Sequence, residues 1–269
     1  MKIGSKDFDN KHTHIMGILN VTPDSFSDGG KFNSKEAALK HAVEMINDGA
    51  EIIDIGGEST RPGYTMISAG EEIERVCPVI ELVHRETGIP ISVDTYKSKV
   101  AQAALSSGAD MVNDVWGLKY DPQMAGVIAK AKVPCCLMHN RNNEIHPYAD
   151  FIQDMLDDMR ETLMIAHSAG ISDDRIILDP GVGFGKDYSQ NLLAIKHLDK
   201  LSGLGYPVLL GTSRKSVIGL TLDLPKDQRV EGTVATSVIA AAVHCMFVRV
   251  HDVKENYRAV RMTEAIINS

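Results

Sequence analysis

The chain has 269 residues, 43% hydrophobic and 24% charged, with a formal net charge of -8. That composition fits a water-exposed globular fold, and the acidic balance disfavours nucleic acid and anionic membrane as partners. No run of about 18 apolar residues occurs, so no segment reads as a membrane span. Short runs rich in Val and Ile alternate with longer amphipathic stretches. The first run, 15–21, is followed by a helical stretch at 34–48, with Ser34 as N-cap and Gly49 as C-terminal stop. Within it Ala38, His41, Ala42, Met45 and Ile46 share one face. Next come 52–56 and 69–86, 91–94 and 98–107, then 111–115 and 122–130. The second half repeats the pattern: 135–138 and 149–168, 176–178 and 189–201, 208–210 and 229–244, 247–250 and 254–268. Gly49, Gly88, Gly108, Gly170 and Gly205 each precede the next run, as short turns from helix to strand require. Strands buried on both faces read as continuous apolar runs, and strict alternation implies right-handed parallel crossovers. Eight units close a barrel, whereas five or six suit an open sheet. The reading is α/β, a single (β/α)8 TIM barrel, one domain over 1–269, with long binding loops after the first two strands.

In such barrels the active site lies at the C-terminal strand ends. Here every run leads into polar residues: NVTPDSFSDGG (20–30), GGESTRPG (56–63), VDT (93–95), VNDV (112–115), MHN (138–140), LDPGVGFGK (178–186), GTSRKS (211–216) and RVHDV (249–253). The opposite ends offer mostly Gly, Pro and Ala. One carboxylate there could simply bond amides of the next turn, but eight polar ends together point to a site. Asp94, Asn113 and Asp179 are acceptors and an amide fork, suited to the donor edge of a flat heterocycle. Lys215, Arg249, His251 and Arg61 are cations suited to phosphate. Residues 213–216 open a helix whose N-terminus favours anions. Asn20 offers a neutral oxygen of the kind suited to lie near a Mg²⁺ carried in on a pyrophosphate.

These motifs, in this order, closely resemble those of the dihydropteroate synthase family, from about Ile15 to Val253. The resemblance implies a transferase of folate biosynthesis that joins a dihydropterin diphosphate to p-aminobenzoate with Mg²⁺, usually as a homodimer. It places the pterin deep in the barrel on Asp94, Asn113 and Asp179, with Lys215 at its carbonyl side and Met138 beside it. Asn20, Arg249 and His251 would hold the diphosphate, and Thr60 matches a residue that contacts substrate. Arg61, Pro62, Phe184, Lys215 and Ser216 would shape the p-aminobenzoate site, with Phe26 closing over it. Asp94, Lys215, Arg249 and His251 take the catalytic roles. The segment HNRNNEIHPYADF (139–151) aligns least well.

Other readings stand beside this one. A pterin-dependent methyltransferase barrel shares the pocket but serves a corrinoid module, for which the chain has no segment, and an inactive pterin-binding barrel would lack part of the polar set. His12-Thr13-His14 has the H-x-H look of metal-dependent barrel hydrolases, but it precedes the first strand and so falls at the wrong end. Cys77, Cys135, Cys136 and Cys245 show no metal or disulfide spacing and read as buried reduced thiols. The first 14 residues lack a signal-peptide core, so a cytoplasmic location is expected. The stretch 233–243, TVATSVIAAAV, is apolar almost all round, which on an outer helix suggests burial against a second subunit or, alternatively, tight cover by neighbouring helices and the N-terminal segment.

Overall fold

Parity along each strand decides where its side chains go, because successive residues point to opposite faces. The computed structural model describes residues 1–22, 30–58, 65–142 and 145–269. A small antiparallel hairpin, β1 (Lys2–Ile3) and β2 (Lys6–Asp7), comes first. Eight parallel strands follow: β3 (His14–Asn20), β4 (Ile52–Gly56), β5 (Ile91–Asp94), β6 (Met111–Asp114), β7 (Cys135–Met138), β8 (Ile176–Asp179), β9 (Leu209–Leu210) and β10 (Phe247–Val250). They pair in the order β8-β7-β6-β5-β4-β3-β10-β9, and a bridge between Leu178 and Val208 joins the two ends into a barrel. The expected (β/α)8 fold is therefore present.

Helices between the strands form the outer layer: α1 (Gly30–Asn47), α2 (Ala69–Thr87), α3 (Ser98–Ser106), α4 (Met124–Ala131), α5 (Phe151–Ser168), α6 (Tyr188–Lys196), α7 (Leu198–Ser202), α8 (Ser216–Leu222), α9 (Val230–Ala242) and α10 (Val253–Ile267). Local chemistry explains their limits. Ser68 accepts from the Glu71 amide at the start of α2, and Gly88, at φ 63°, returns its amide to the His84 carbonyl at the end. All five glycines expected to stop helices have positive φ. Three expectations need correction. Helix α1 reaches back to Gly30, so Ser34 lies inside it and is not its cap; a serine costs an interior turn only tenths of a kcal/mol, about 0.5. The sixth helical stretch breaks at His197, where φ -110° and ψ 33° leave the helical well. The seventh unit carries an extra helix, α8, before α9.

Two apolar layers result. Outward-facing residues such as Ile53, Val93, Val112, Leu137 and Val248 pack against the helices in one large cluster. Inward-facing Met16, Ile52, Met111, Cys136, Ile177, Leu209 and Phe247 fill the lower lumen, and Ile3 and Phe8 of the hairpin plug it from below. Phe8 meets His14 edge-on at 4.9 Å and Phe247 at 5.5 Å. Above this apolar floor, the same inward positions become polar.

Candidate active site

The strand register builds a level row of site residues. Asn20 of β3 lies opposite Gly56 of β4, Gly56 opposite Asp94 of β5, and Asp94 opposite Asn113 of β6. One layer lower on the same faces sit Asp54 and Ser92, which also lie opposite each other. From the other side of the barrel come Asp179 at the end of β8 and Arg249 in β10. Gly211 keeps the wall thin between them: a Cβ there would lie 3.6 Å from Asp179 Oδ2 and 3.9 Å from Arg249 Cβ.

Arg249 is the hub of this cluster. Its Nε donates to Asp54 Oδ2 at 2.5 Å and its Nη2 to Asp94 Oδ2 at 2.5 Å. Asn113 Nδ2 also donates to Asp54 Oδ2, at 3.2 Å. Asp94 Oδ1 and Asp54 Oδ1 are buried without a hydrogen-bond partner. Burial pushes the Asp94 carboxyl well above the usual carboxylate range; Arg249 opposes the shift and Asp54 adds to it. Asp179 is raised by burial too, against the pull of Lys215, while its Oδ1 accepts from the Gly181 amide at 2.7 Å.

Lys215 enters from the loop before α8. Its Nζ donates to the Val182 carbonyl at 2.5 Å and lies 4.7 Å from the centre of the Phe184 ring, a cation–π contact. Burial lowers its pKa to about 8, while Asp179 acts in the opposite direction. Met138 and Phe184 pack with Tyr96, Val115 and Trp116 in a small apolar cluster at the mouth. His251, just past β10, receives Ser213: its Nδ1 lies 3.0 Å from Ser213 Oγ, and its amide donates to the same oxygen at 3.1 Å. Ser216 is exposed at the first position of α8, next to Lys215.

The sequence-derived candidates Asn20, Asp94, Asn113, Met138, Asp179, Phe184, Lys215, Arg249 and His251 thus share one end of the barrel. Phe26, Thr60, Arg61 and Pro62 lie outside the described residues. His14 sits at the opposite end, with Nδ1 3.1 Å from both oxygens of Glu51, as its place before the first strand implied. Two site neighbours were not singled out from sequence. Asp54 is one: a carboxylate in the middle of the apolar run IIDIG, two residues below Gly56 and thus facing the lumen, was the available signal. Lys186 is the other. Its Nζ donates to the carbonyls of Gly181 at 2.9 Å and Phe184 at 3.0 Å, and burial lowers its pKa to about 7. Nothing in its surface-like spacing marked it.

Among the described residues no group of three His, Cys, Asp or Glu side chains is placed to hold a metal. Asn20 can supply one neutral oxygen from the rim, so a divalent cation fits here only when an anionic ligand brings most of its coordination. Acceptors on one side, cations on the other and an apolar wall between them suit a flat, hydrogen-bonding ring with an anionic tail.

The family model described as "Pterin binding enzyme" matches residues 16–251. The chain is 58% identical over 269 residues to the dihydropteroate synthase of Clostridium beijerinckii, covering 99% of each chain. Its fold is similar to that of the Clostridium difficile dihydropteroate synthase crystallised in the presence of pteroic acid, with a TM-score of 0.94, 51% identity, and 98% of this chain and 100% of that one covered. It is also similar to the Xanthomonas albilineans dihydropteroate synthase with 4-aminobenzoic acid, with a TM-score of 0.92, 42% identity, and 97% and 95% covered.

Proposed function

Since this chain belongs to the pterin-binding enzyme family, we propose that its barrel mouth joins (7,8-dihydropterin-6-yl)methyl diphosphate to p-aminobenzoate, releasing 7,8-dihydropteroate and pyrophosphate. The activity is that of a dihydropteroate synthase, a transferase of folate biosynthesis. One observation carries the assignment of the site: Asp94, Asn113 and Asp179 face the same lumen as Arg249 and Lys215, so acceptors and cations meet in one pocket. The methyltransferase and inactive-barrel readings lose ground, because the relatives are synthases over the full chain.

The roles follow from the chemistry of each group. Asp94 and Asp179 accept from the amino and ring N–H groups of the pterin, and Asn113 adds a third contact. Lys215 faces the ring carbonyl, with Met138 against the ring. Arg249 and His251 bind the diphosphate, and the charge of Arg249 eases its departure with the C–O electron pair. Asp94, ionised, stabilises the cationic methylene that remains. The neutral amine of p-aminobenzoate, held by Phe184, Lys215 and Ser216, then forms the C–N bond and passes a proton to the departing pyrophosphate or to solvent. A Mg²⁺ bound to the diphosphate would neutralise part of its charge, with Asn20 as the protein ligand. The protein itself supplies mainly positioning and a water-poor pocket.

Two further parts of the reading concern the whole chain. One core cluster runs from Ile15 to Val260, which supports a single domain. The four cysteines are buried and free, which fits a reducing cytoplasm. The test of function is direct: incubation with the dihydropterin diphosphate, p-aminobenzoate and Mg²⁺ should yield dihydropteroate and pyrophosphate by mass spectrometry. Asp94→Asn should lower the rate by about a hundredfold or more. A variant as active as wild type would remove Asp94 from the mechanism.

A further inference from the structure

Asp54 is fully buried in the lumen, and no step above uses it. Its Oδ2 receives Arg249 Nε at 2.5 Å and Asn113 Nδ2 at 3.2 Å, so one oxygen holds two residues that arrive on different strands. Both contacts have directional consequences. Anchoring a guanidinium through Nε leaves its terminal nitrogens pointing forward, here toward Asp94. Turning the Asn113 amide nitrogen down toward Asp54 leaves its carbonyl oxygen for the pocket, where it joins the Asp94 and Asp179 oxygens as an acceptor. Asp94 Oδ2 is held by Arg249, and a bound ring with N–H groups must compete for that oxygen. Once Asp94 is engaged by substrate, Asp54 is the carboxylate left to keep Arg249 in place.

We propose that Asp54 is a positioning residue of the site: it aims the Arg249 guanidinium at the diphosphate and sets the Asn113 amide as an acceptor for the ring. The inference rests on the site reading above and deepens it, since it names the residue that makes the pocket select an N–H-bearing ring with an anionic tail. An arginine with four rotatable side-chain torsions needs such an anchor to meet a phosphate at one fixed angle. A buried carboxylate needs partners that offset its desolvation, and here those partners serve the substrate contacts as well.

The experiment compares Asp54→Asn, Arg249→Met and Arg249→Lys in the full-length enzyme. Melting temperature, kcat, KM for each substrate and the pH profile of kcat/KM are measured for all three. Asp54→Asn keeps the shape and removes the charge. It should leave KM for p-aminobenzoate unchanged and raise KM for the pterin diphosphate by about tenfold to a hundredfold. It should also move the acid limb to lower pH. The groups facing Asp94 are Arg249 from β10, Asp54 from β4, Glu72 from α2 and Lys215 from the loop before α8. Loss of the Asp54 charge removes one like charge and frees more of the Arg249 charge for Asp94, and both changes favour ionised Asp94. A merely structural role would lower the melting temperature and leave that limb where it was. A folded Asp54→Asn enzyme with wild-type KM for the pterin and an unmoved acid limb overturns the proposal. Arg249→Lys tests it even where Asp54→Asn fails to fold. Lysine keeps the charge but has no fork for Asp54 to aim, so it should lose about as much as Arg249→Met. A near-wild-type lysine enzyme overturns the anchor. A near-wild-type Arg249→Met enzyme instead removes the diphosphate reading on which the proposal stands.

Discussion

Asp94 and Lys215 are displaced toward each other by the same cause. Burial pushes Asp94 up to about 7, with Arg249 opposing and Asp54 reinforcing, and burial pulls Lys215 down to about 8, with Asp179 opposing. The proposed chemistry needs Asp94 ionised and Lys215 protonated. Below about 7 the aspartate takes up its proton, and above about 8 the lysine loses its own, so kcat/KM for the pterin diphosphate should trace a narrow bell. Lys215→Arg keeps a charge at every working pH, so its profile should retain the acid limb and lose the alkaline one. A wild-type profile that stays flat across roughly pH 6 to 9 excludes both groups as the titrating pair. Much of this site could be read from the sequence, because a charged residue at the end of an apolar run must face either the mouth or the next turn. Asp114 shows why the rule is incomplete. It also ends a strand, yet its oxygens accept from the amides of Trp116 and Leu118, and it serves the turn alone.

At the level of elements, the loop after β8 and the N-terminal hairpin make different demands. Gly181 has φ 68°, and a Cβ there would lie 1.9 Å from the His139 carbonyl oxygen. The loop carries Val182 and Phe184 to Lys215 and is tied back through Asp179, so a shift of its backbone displaces three site residues together. Gly181→Ala should therefore cost about 1–3 kcal/mol in chemical denaturation and lower kcat/KM at the same time. Unchanged activity in that variant would show that the loop's path is not tied to the site. The hairpin is the opposite case. Phe8 is 2% exposed and plugs the far end of the lumen. Phe8→Ala should cost about 3–5 kcal/mol with kcat unchanged, and a large fall in kcat without loss of stability would contradict that division of labour. Two-residue strands carry too little pattern to be legible, and the hairpin was missed for that reason. Helix α8 was anticipated only as a helix start at 213–216, since its seven residues hold barely two turns of periodicity.

For the molecule as a whole, α9 is inverted: its small polar residues Thr233 and Ser237 are buried with Ala240 and Ala241, while Ile239 is 44% exposed. Ser237 Oγ bonds Asn256 of α10, which explains how the inner face tolerates hydroxyls. On neighbouring α8, Leu220 is exposed as well. An apolar outer stripe of this kind favours a second copy of the chain as its cover, and a homodimer is the assembly we propose. Light scattering at micromolar concentration should give twice the mass of the chain, and Ile239→Glu should shift it toward the monomer. A wild-type monomer would count against the assembly.

By itself the amino-acid sequence determined the eight barrel strands, their parallel order and the end at which polar residues gather. Each of these depends on periodicity and on chain neighbours, which a one-dimensional pattern records. The contacts between strands far apart in the chain were decided by the tertiary structure alone. Asp54 and Arg249 are 195 residues apart and Asp94 and Arg249 are 155 apart. Their meeting depends on barrel closure and on the register of each strand against the next, and shifting that register by one residue would turn Asp54 out of the lumen. Closure also removes these charges from water, which is why a carboxyl, an amine and a guanidinium that look ordinary in the sequence become a coupled set in the fold.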